Sequence, residues 1–115
     1  GACTILFNNE PVRSCLMLAP QIDNGEITTI EGISENSSYD DLREAFKKYH
    51  ALQCGYCTPG FITTIVYLLE KKQFLKEEEI REKLSGNICR CTGYTGIVKA
   101  VEEVFLNRFK KSKND

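Results

Sequence analysis

Apolar residues sit in short runs at the start of the chain and then switch to a helical rhythm. Thr4-Ile5-Leu6-Phe7 reads as a strand, Asn8-Asn9 supplies turn residues that tolerate positive φ, and Val12 to Leu18 is placed to return as a second strand. A third strand is predicted over Glu26–Ile30, after the turn signal Asp23-Asn24-Gly25. Residues 31–38 are polar and read as a connector. This divides the chain into a β segment over 1–32, a linker at 33–38, a helical domain over 39–110 and a tail at 111–115. In the helical domain Tyr39, Leu42, Phe46 and Tyr49 recur at three- and four-residue steps, with Ser38 and Asp41 spaced as a capping box. A second helix is predicted from Thr58 as N-cap and Pro59 as first helical residue, apolar around most of its circumference from Phe61 to Leu69. A third runs over about Glu77–Leu84 and ends at Ser85-Gly86. A fourth spans roughly Thr95–Arg108, with Ile97, Val98, Val101, Val104 and Phe105 facing a core. The fold class that follows is α+β.

Composition narrows the function classes. The chain has 115 residues, with 15 basic and 16 acidic side chains and a formal net charge of −1. That balance excludes a basic nucleic-acid footprint and a polybasic membrane patch. The strongly apolar stretch Phe61–Leu69 is nine residues, short of the roughly 20 that cross a bilayer. No charged-then-apolar leader opens the sequence. A soluble protein of a reducing compartment, the cytoplasm, is therefore expected.

The cysteines carry the candidate chemistry. They stand at 3, 15, 54, 57, 89 and 91, too sparse for a disulfide scaffold. Cys54 and Cys57 lie between the first two predicted helices, and Cys89 and Cys91 between the last two. An antiparallel arrangement would bring both loops to one end. A bridging metal would also staple a bundle of about 75 residues, which is marginal by itself. The pattern C-x2-C, 31 intervening residues, C-x-C suits a [2Fe–2S] cluster or a four-thiolate structural zinc. A thiol–disulfide pair at Cys54-Gly55-Tyr56-Cys57 fits less well, because it follows a helix and leaves Cys89 and Cys91 unused. Spacing alone leaves zinc and iron–sulfur open. Gly55, Gly60, Gly86 and Gly93 would let backbone amides approach the sulfurs. The Thr58 helix N-terminus would offer N–H donors, and Arg90 a positive charge. His50 reads as a surface residue and Arg108–Lys113 as a solvated terminus.

The stretches Gln53-Cys-Gly-Tyr-Cys-Thr-Pro-Gly-Phe61 and Leu84-Ser-Gly-Asn-Ile-Cys-Arg-Cys-Thr-Gly-Tyr94 closely resemble the small iron–sulfur subunit of molybdenum hydroxylases, a family that includes xanthine, carbon monoxide and nicotinate dehydrogenases. Gly1-Ala-Cys-Thr-Ile-Leu and Ser14-Cys-Leu-Met-Leu-Ala19 resemble the end of that family's plant-type β-grasp ferredoxin domain. The resemblance implies an electron-transfer subunit without substrate chemistry of its own. A [2Fe–2S] cluster would be held by Cys54, Cys57, Cys89 and Cys91 in the four-helix domain. Gln53 would contact a molybdopterin on a large partner subunit, and a second cluster would lie nearer an FAD-binding medium subunit. Cys3 and Cys15 match the third and fourth ligands of that second cluster. Its first two ligands would precede Gly1, so either the chain is a piece of a longer protein or that site has been lost. Gly1-Ala2 reads as the interior of a severed C-x2-C motif. The reading from another class is a zinc-bound structural or interaction module.

Overall fold

A hairpin opens the computed structural model, which describes residues 1–110. Strand β1 (Thr4–Phe7) turns through Asn8 and Asn9, at φ 50° and 68°, into β2 (Glu10–Arg13). Two left-handed residues make the tight connection that matches strand twist, and asparagine adopts that region at little cost. A two-residue strand β3 (Ile27–Thr28) pairs antiparallel with the other edge of β1, giving the order β2-β1-β3. Thr4 and Leu6 point to the helical side and are buried, while Ile5 and Phe7 on the opposite face are partly covered.

Both flanking strands are shorter than their sequence patterns suggest. β2 stops at Arg13, although Ser14 still lies opposite Cys3, its N–H and its hydroxyl both donating to the Cys3 carbonyl at 3.2 and 2.8 Å. Residues Ser14–Leu16 and Ala19–Ile22 then form 3₁₀ turns instead of a continuing strand. The predicted third strand ends at Thr28, because Ile30 already begins a helical turn. The polar connector is largely helical too: α1 (Ile30–Ser34) buries Ile33, and a 3₁₀ turn covers Ser37–Tyr39. Asn36 Oδ1 caps that turn by accepting from Ser38 N–H at 2.9 Å, so the expected Ser38–Asp41 box does not form.

Four longer helices follow: α2 (Asp40–Lys48), α3 (Thr58–Glu70), α4 (Glu77–Lys83) and α5 (Thr95–Phe105), the last continued by a π turn over Leu106–Lys110. Helix α3 is central and buries nine of its thirteen residues, as its largely apolar circumference requires. Phe61, Ile65, Leu42, Ile80, Ile97, Val101, Val104 and Phe105 form the most deeply buried part of a core that also takes in Leu6 from the sheet. Among the described residues no helix is long and apolar enough to cross a membrane.

Arg108, expected to be solvated, is instead docked. Its guanidinium grips the Asp41 carboxylate through two bonds of 2.7 Å, donates to Ser38 O and lies over the Tyr39 ring. The 111–115 tail lies outside the described residues. The Arg108 hydrogen bonds hold the Asp41 carboxyl below its usual range. A lowered folded-state pKa adds stability that is present above the unfolded value of about 3.9 and is lost as pH falls through the folded one. Because the pair is partly exposed, its contribution is on the order of 0.5–1 kcal/mol. Asp41→Asn is therefore expected to lower urea stability by about that amount at pH 7. The gap should close as pH falls through the lowered folded-state value, where wild type is protonated as well.

The sheet is seamed to the helices at its N-terminal turn. The Gly1 carbonyl accepts from Thr4 N and Thr4 Oγ1, at 3.1 and 2.6 Å, and from Asn87 Nδ2 at 3.4 Å. Arg13 spans the same seam, donating to Thr4 Oγ1 at 2.8 Å and to the Gly86 carbonyl. Gly60, in the first turn of α3, packs so closely that an added Cβ would lie 2.1 Å from Gly1 O. Gly60 and Gly86 thus serve this seam. Gly60→Ala is expected to cost about 1–3 kcal/mol by forcing the seam apart, read as a lowered midpoint in thermal unfolding.

Candidate metal centre

Two loops carry the clustered cysteines, and local geometry bends both toward the start of α3. The first leaves α2 through His50 in the left-handed region, exposed as expected, and turns again at Gly55 with φ 83°. Cys57 itself is the N-cap of α3 and its carbonyl accepts from Phe61 N–H at 3.2 Å. The helix start is thus one residue away from the sequence expectation: Thr58 is the first helical residue and Pro59 the second. Thr58 Oγ1 is buried and has no hydrogen-bond partner among the described residues.

The second loop, after α4, is organised around Cys89. Its sulfur accepts from Thr92 N–H at 3.4 Å and from the Thr92 hydroxyl at 3.2 Å. Its own N–H donates to the Tyr94 phenol oxygen at 3.1 Å, while Tyr94 N–H donates to Thr92 Oγ1 at 3.1 Å. Gly93 and Tyr94 both take positive φ, 70° and 73°. For a tyrosine that conformation costs roughly 1 kcal/mol or more. Its ring is held against Phe61, with centroids 6.4 Å apart.

The four thiols meet as two pairs. Cys57 interacts with Cys89 and Cys54 with Cys91, and charge coupling runs between the pairs. Cys89 is buried and Cys57 partly so, whereas Cys54 and Cys91 are exposed. Burial, with the neighbouring Cys89 thiol next, pushes Cys57 up to about 11. Burial also acts to raise Cys89, but hydrogen bonds from the side chain and backbone of Thr92 overcome it and bring that thiol to about 7. The hydrogen bond with Cys54 raises Cys91. Cys54 Sγ accepts from Tyr56 N–H at 3.4 Å. Among the described residues no three or more histidine, cysteine or acidic side chains form a group suited to one metal ion. Two pairs of soft thiolates are the donor set of a two-iron centre, in which each iron takes two protein sulfurs; one tetrahedral zinc needs all four at a single point.

Cys3 and Cys15 come together separately, with sulfurs 3.3 Å apart. Hydrogen bonds from the Cys15 backbone and thiol lower Cys3 to about 7, and the Cys3 thiol raises Cys15. Gln53 and Arg90 are exposed beside Cys54 and between Cys89 and Cys91. Leu52, Tyr56 and Ile88 flank these loops as exposed apolar side chains. The roles of Thr92, Tyr94 and Asn87 were not legible beforehand. Thr92-Gly93-Tyr94 resembles any polar turn until its hydrogen bonds are seen.

Comparison with known proteins bears on these loops. A family model described as a [2Fe–2S] binding domain matches residues 29–102. The chain is 54% identical over 101 residues to the nicotine 6-hydroxylase small subunit of Paenarthrobacter nicotinovorans, covering 88% of this chain and 61% of that one. It is 50% identical over 101 residues to the nicotinate dehydrogenase small FeS subunit of Eubacterium barkeri, covering 88% and 64%. The chain thus spans less than two thirds of the length of these relatives. Among solved structures, the aldehyde oxidoreductase from Desulfovibrio gigas superposes with a TM-score of 0.84 at 34% identity, over 98% of this chain and 13% of that one.

Proposed function

This chain belongs to the [2Fe–2S] binding domain family, among the small iron–sulfur subunits of molybdenum hydroxylases, and from that premise we propose that it relays electrons between cofactors held on partner subunits. The supporting observation is the meeting of four thiols from two loops, with 31 residues between them in sequence, as two pairs. Cys54 with Cys91 and Cys57 with Cys89 would each hold one iron of a [2Fe–2S] cluster. A bound cluster of this type supplies one-electron chemistry at a potential that the surrounding protein tunes.

The chain's own residues divide the remaining work. Cys89 is buried and Cys57 partly so, Thr92 and Tyr56 donate hydrogen bonds to sulfur, and the exposed edge bearing Cys54 and Cys91 faces outward. On that edge Gln53 would meet a molybdopterin on a large subunit, with Leu52, Tyr56 and Ile88 as the apolar contacts of the interface. Cys3 and Cys15 would supply two of the four ligands of a second cluster, its others coming from residues outside this chain. That cluster would pass electrons toward a medium FAD-binding subunit. Residues 1–32 are, on this reading, the C-terminal part of a β-grasp ferredoxin domain, and 39–110 the helical cluster domain. Substrate recognition and oxidation would belong to the partner.

The test is anaerobic purification with iron, zinc and acid-labile sulfide analysis. Equimolar iron and sulfide with visible absorption supports the relay. Stoichiometric zinc in a colourless protein overturns it in favour of a structural zinc module.

A further inference from the structure

The hydrogen bonding around the four cysteines is lopsided. Cys89, the buried thiol of the set, receives two donors from a single residue, the Thr92 N–H at 3.4 Å and the Thr92 hydroxyl at 3.2 Å. Thr92 Oγ1 also accepts from Tyr94 N–H at 3.1 Å. A hydroxyl has one proton and two lone pairs, and a backbone N–H can only donate. Tyr94 N–H therefore occupies a lone pair of Oγ1 and leaves the hydroxyl proton for the sulfur. The phenol oxygen of Tyr94 closes the ring by accepting from Cys89 N–H at 3.1 Å. Tyr94 is held at φ 73° while doing so, and a bulky residue kept in that region indicates that the surrounding bonds dictate its conformation.

We propose that Thr92 is a positioning residue that raises the reduction potential of the centre by donating its hydroxyl proton to the Cys89 sulfur, in an orientation imposed by Tyr94. The inference rests on the reading of Cys89 as a cluster ligand. Its physical basis is charge. Reduction adds one negative charge to the centre and its ligands, and a donor aimed at a ligand sulfur stabilises the reduced state more than the oxidised one. Burial of Cys89 strengthens the effect, since little water competes for the sulfur.

The experiment is a redox titration of the full protein with its partner subunits, followed by visible absorption and electron paramagnetic resonance. Thr92→Val keeps the shape and the backbone donor but removes the hydroxyl. It is expected to disfavour reduction about tenfold, which is about 59 mV toward lower potential for a one-electron couple. Thr92→Ser, which retains the hydroxyl, should return the wild-type potential. Thr92→Val with full iron and sulfide and an unchanged potential overturns the proposal. If Thr92→Val fails to assemble, Thr92→Ala, which also keeps the backbone donor and removes the hydroxyl, takes its place in the same titration. A lowered potential in that variant supports the assignment, and an unchanged one overturns it. Failure of the underlying ligand reading looks different, since wild type itself would then lack iron and sulfide.

Discussion

Cys89→Ala is expected to abolish the [2Fe–2S] centre proposed here and to drop the protein to the stability of its metal-free form. Cys89 is buried and bonded on three sides, by Thr92, by Tyr94 and by the Cys57 thiol. Water has poor access to replace its sulfur, and the half-site left on Cys57 could not hold an iron alone. The structural loss should be large, because the centre ties together two loops that 31 residues separate. Treated as a cross-link, closure of a loop of this size is worth about 3–4 kcal/mol. For a chain of this length that corresponds to a fall of roughly 15–30 °C in melting temperature. Iron and sulfide analysis, the paramagnetic signal of the reduced protein and a thermal melt check the three parts together. Tyr56→Ala, at an exposed position in the facing loop, should keep both the iron and the melting temperature of wild type. Full iron retention in Cys89→Ala would refute the ligand assignment.

Phe61→Ala should be the most damaging substitution that touches no ligand. The ring is 1% exposed and lies in the first turn of the central helix, between the core and Tyr94. Truncating a buried phenylalanine removes its transfer energy and leaves a cavity, together about 3–5 kcal/mol. Urea unfolding of the metal-free protein would read this directly, free of any change in cluster occupancy. A second effect follows from position. Without the ring, Tyr94 loses its packing partner, and its left-handed backbone is less firmly imposed. The loop around Cys89 should then protect its amides less well from hydrogen exchange. Ile88→Ala, 71% exposed in the same loop, is the control and should stay within about 0.5 kcal/mol of wild type.

The elements that could be read in advance are those where one local rule acts alone. Asn8-Asn9 marks a tight turn because few other residues accept positive φ, and the turn is there. The apolar circumference of residues 61–69 can only be buried, and α3 is central. The clustered cysteines fall in the loops between helices, as the turn residues around them indicate. Where rules compete, the reading fails. Val12–Leu18 has strand-like residues, but from Ser14 the chain leaves the sheet in 3₁₀ turns. Glu31–Ser38 is polar enough for a connector, yet Ile30 and Ile33 are spaced to form a helical turn that covers the core. Arg108 near the end of the last helix looks solvated until the fold brings Asp41 alongside it, 67 residues away in sequence. The site divides in the same way. Ligand candidates are legible from residue type and spacing, whereas Thr92, Tyr94 and Asn87 act through bonds to sulfur and backbone that no spacing rule encodes.

The seam at Gly1 bears on how an electron would cross the molecule between the two sulfur groups. Gly1 is two residues from Cys3, and Asn87 is two residues from Cys89. Their contact, Asn87 Nδ2 to the Gly1 carbonyl, joins two short stretches of main chain through one side chain and a single non-covalent gap. That side chain is buried, and its other amide atom, Oδ1, accepts from the Thr64 hydroxyl at 2.9 Å, so it is held from both ends. Under the ligand assignment proposed above, the tunnelling barrier along this bridge is set by folded main chain and one clamped amide, indifferent to solvent viscosity.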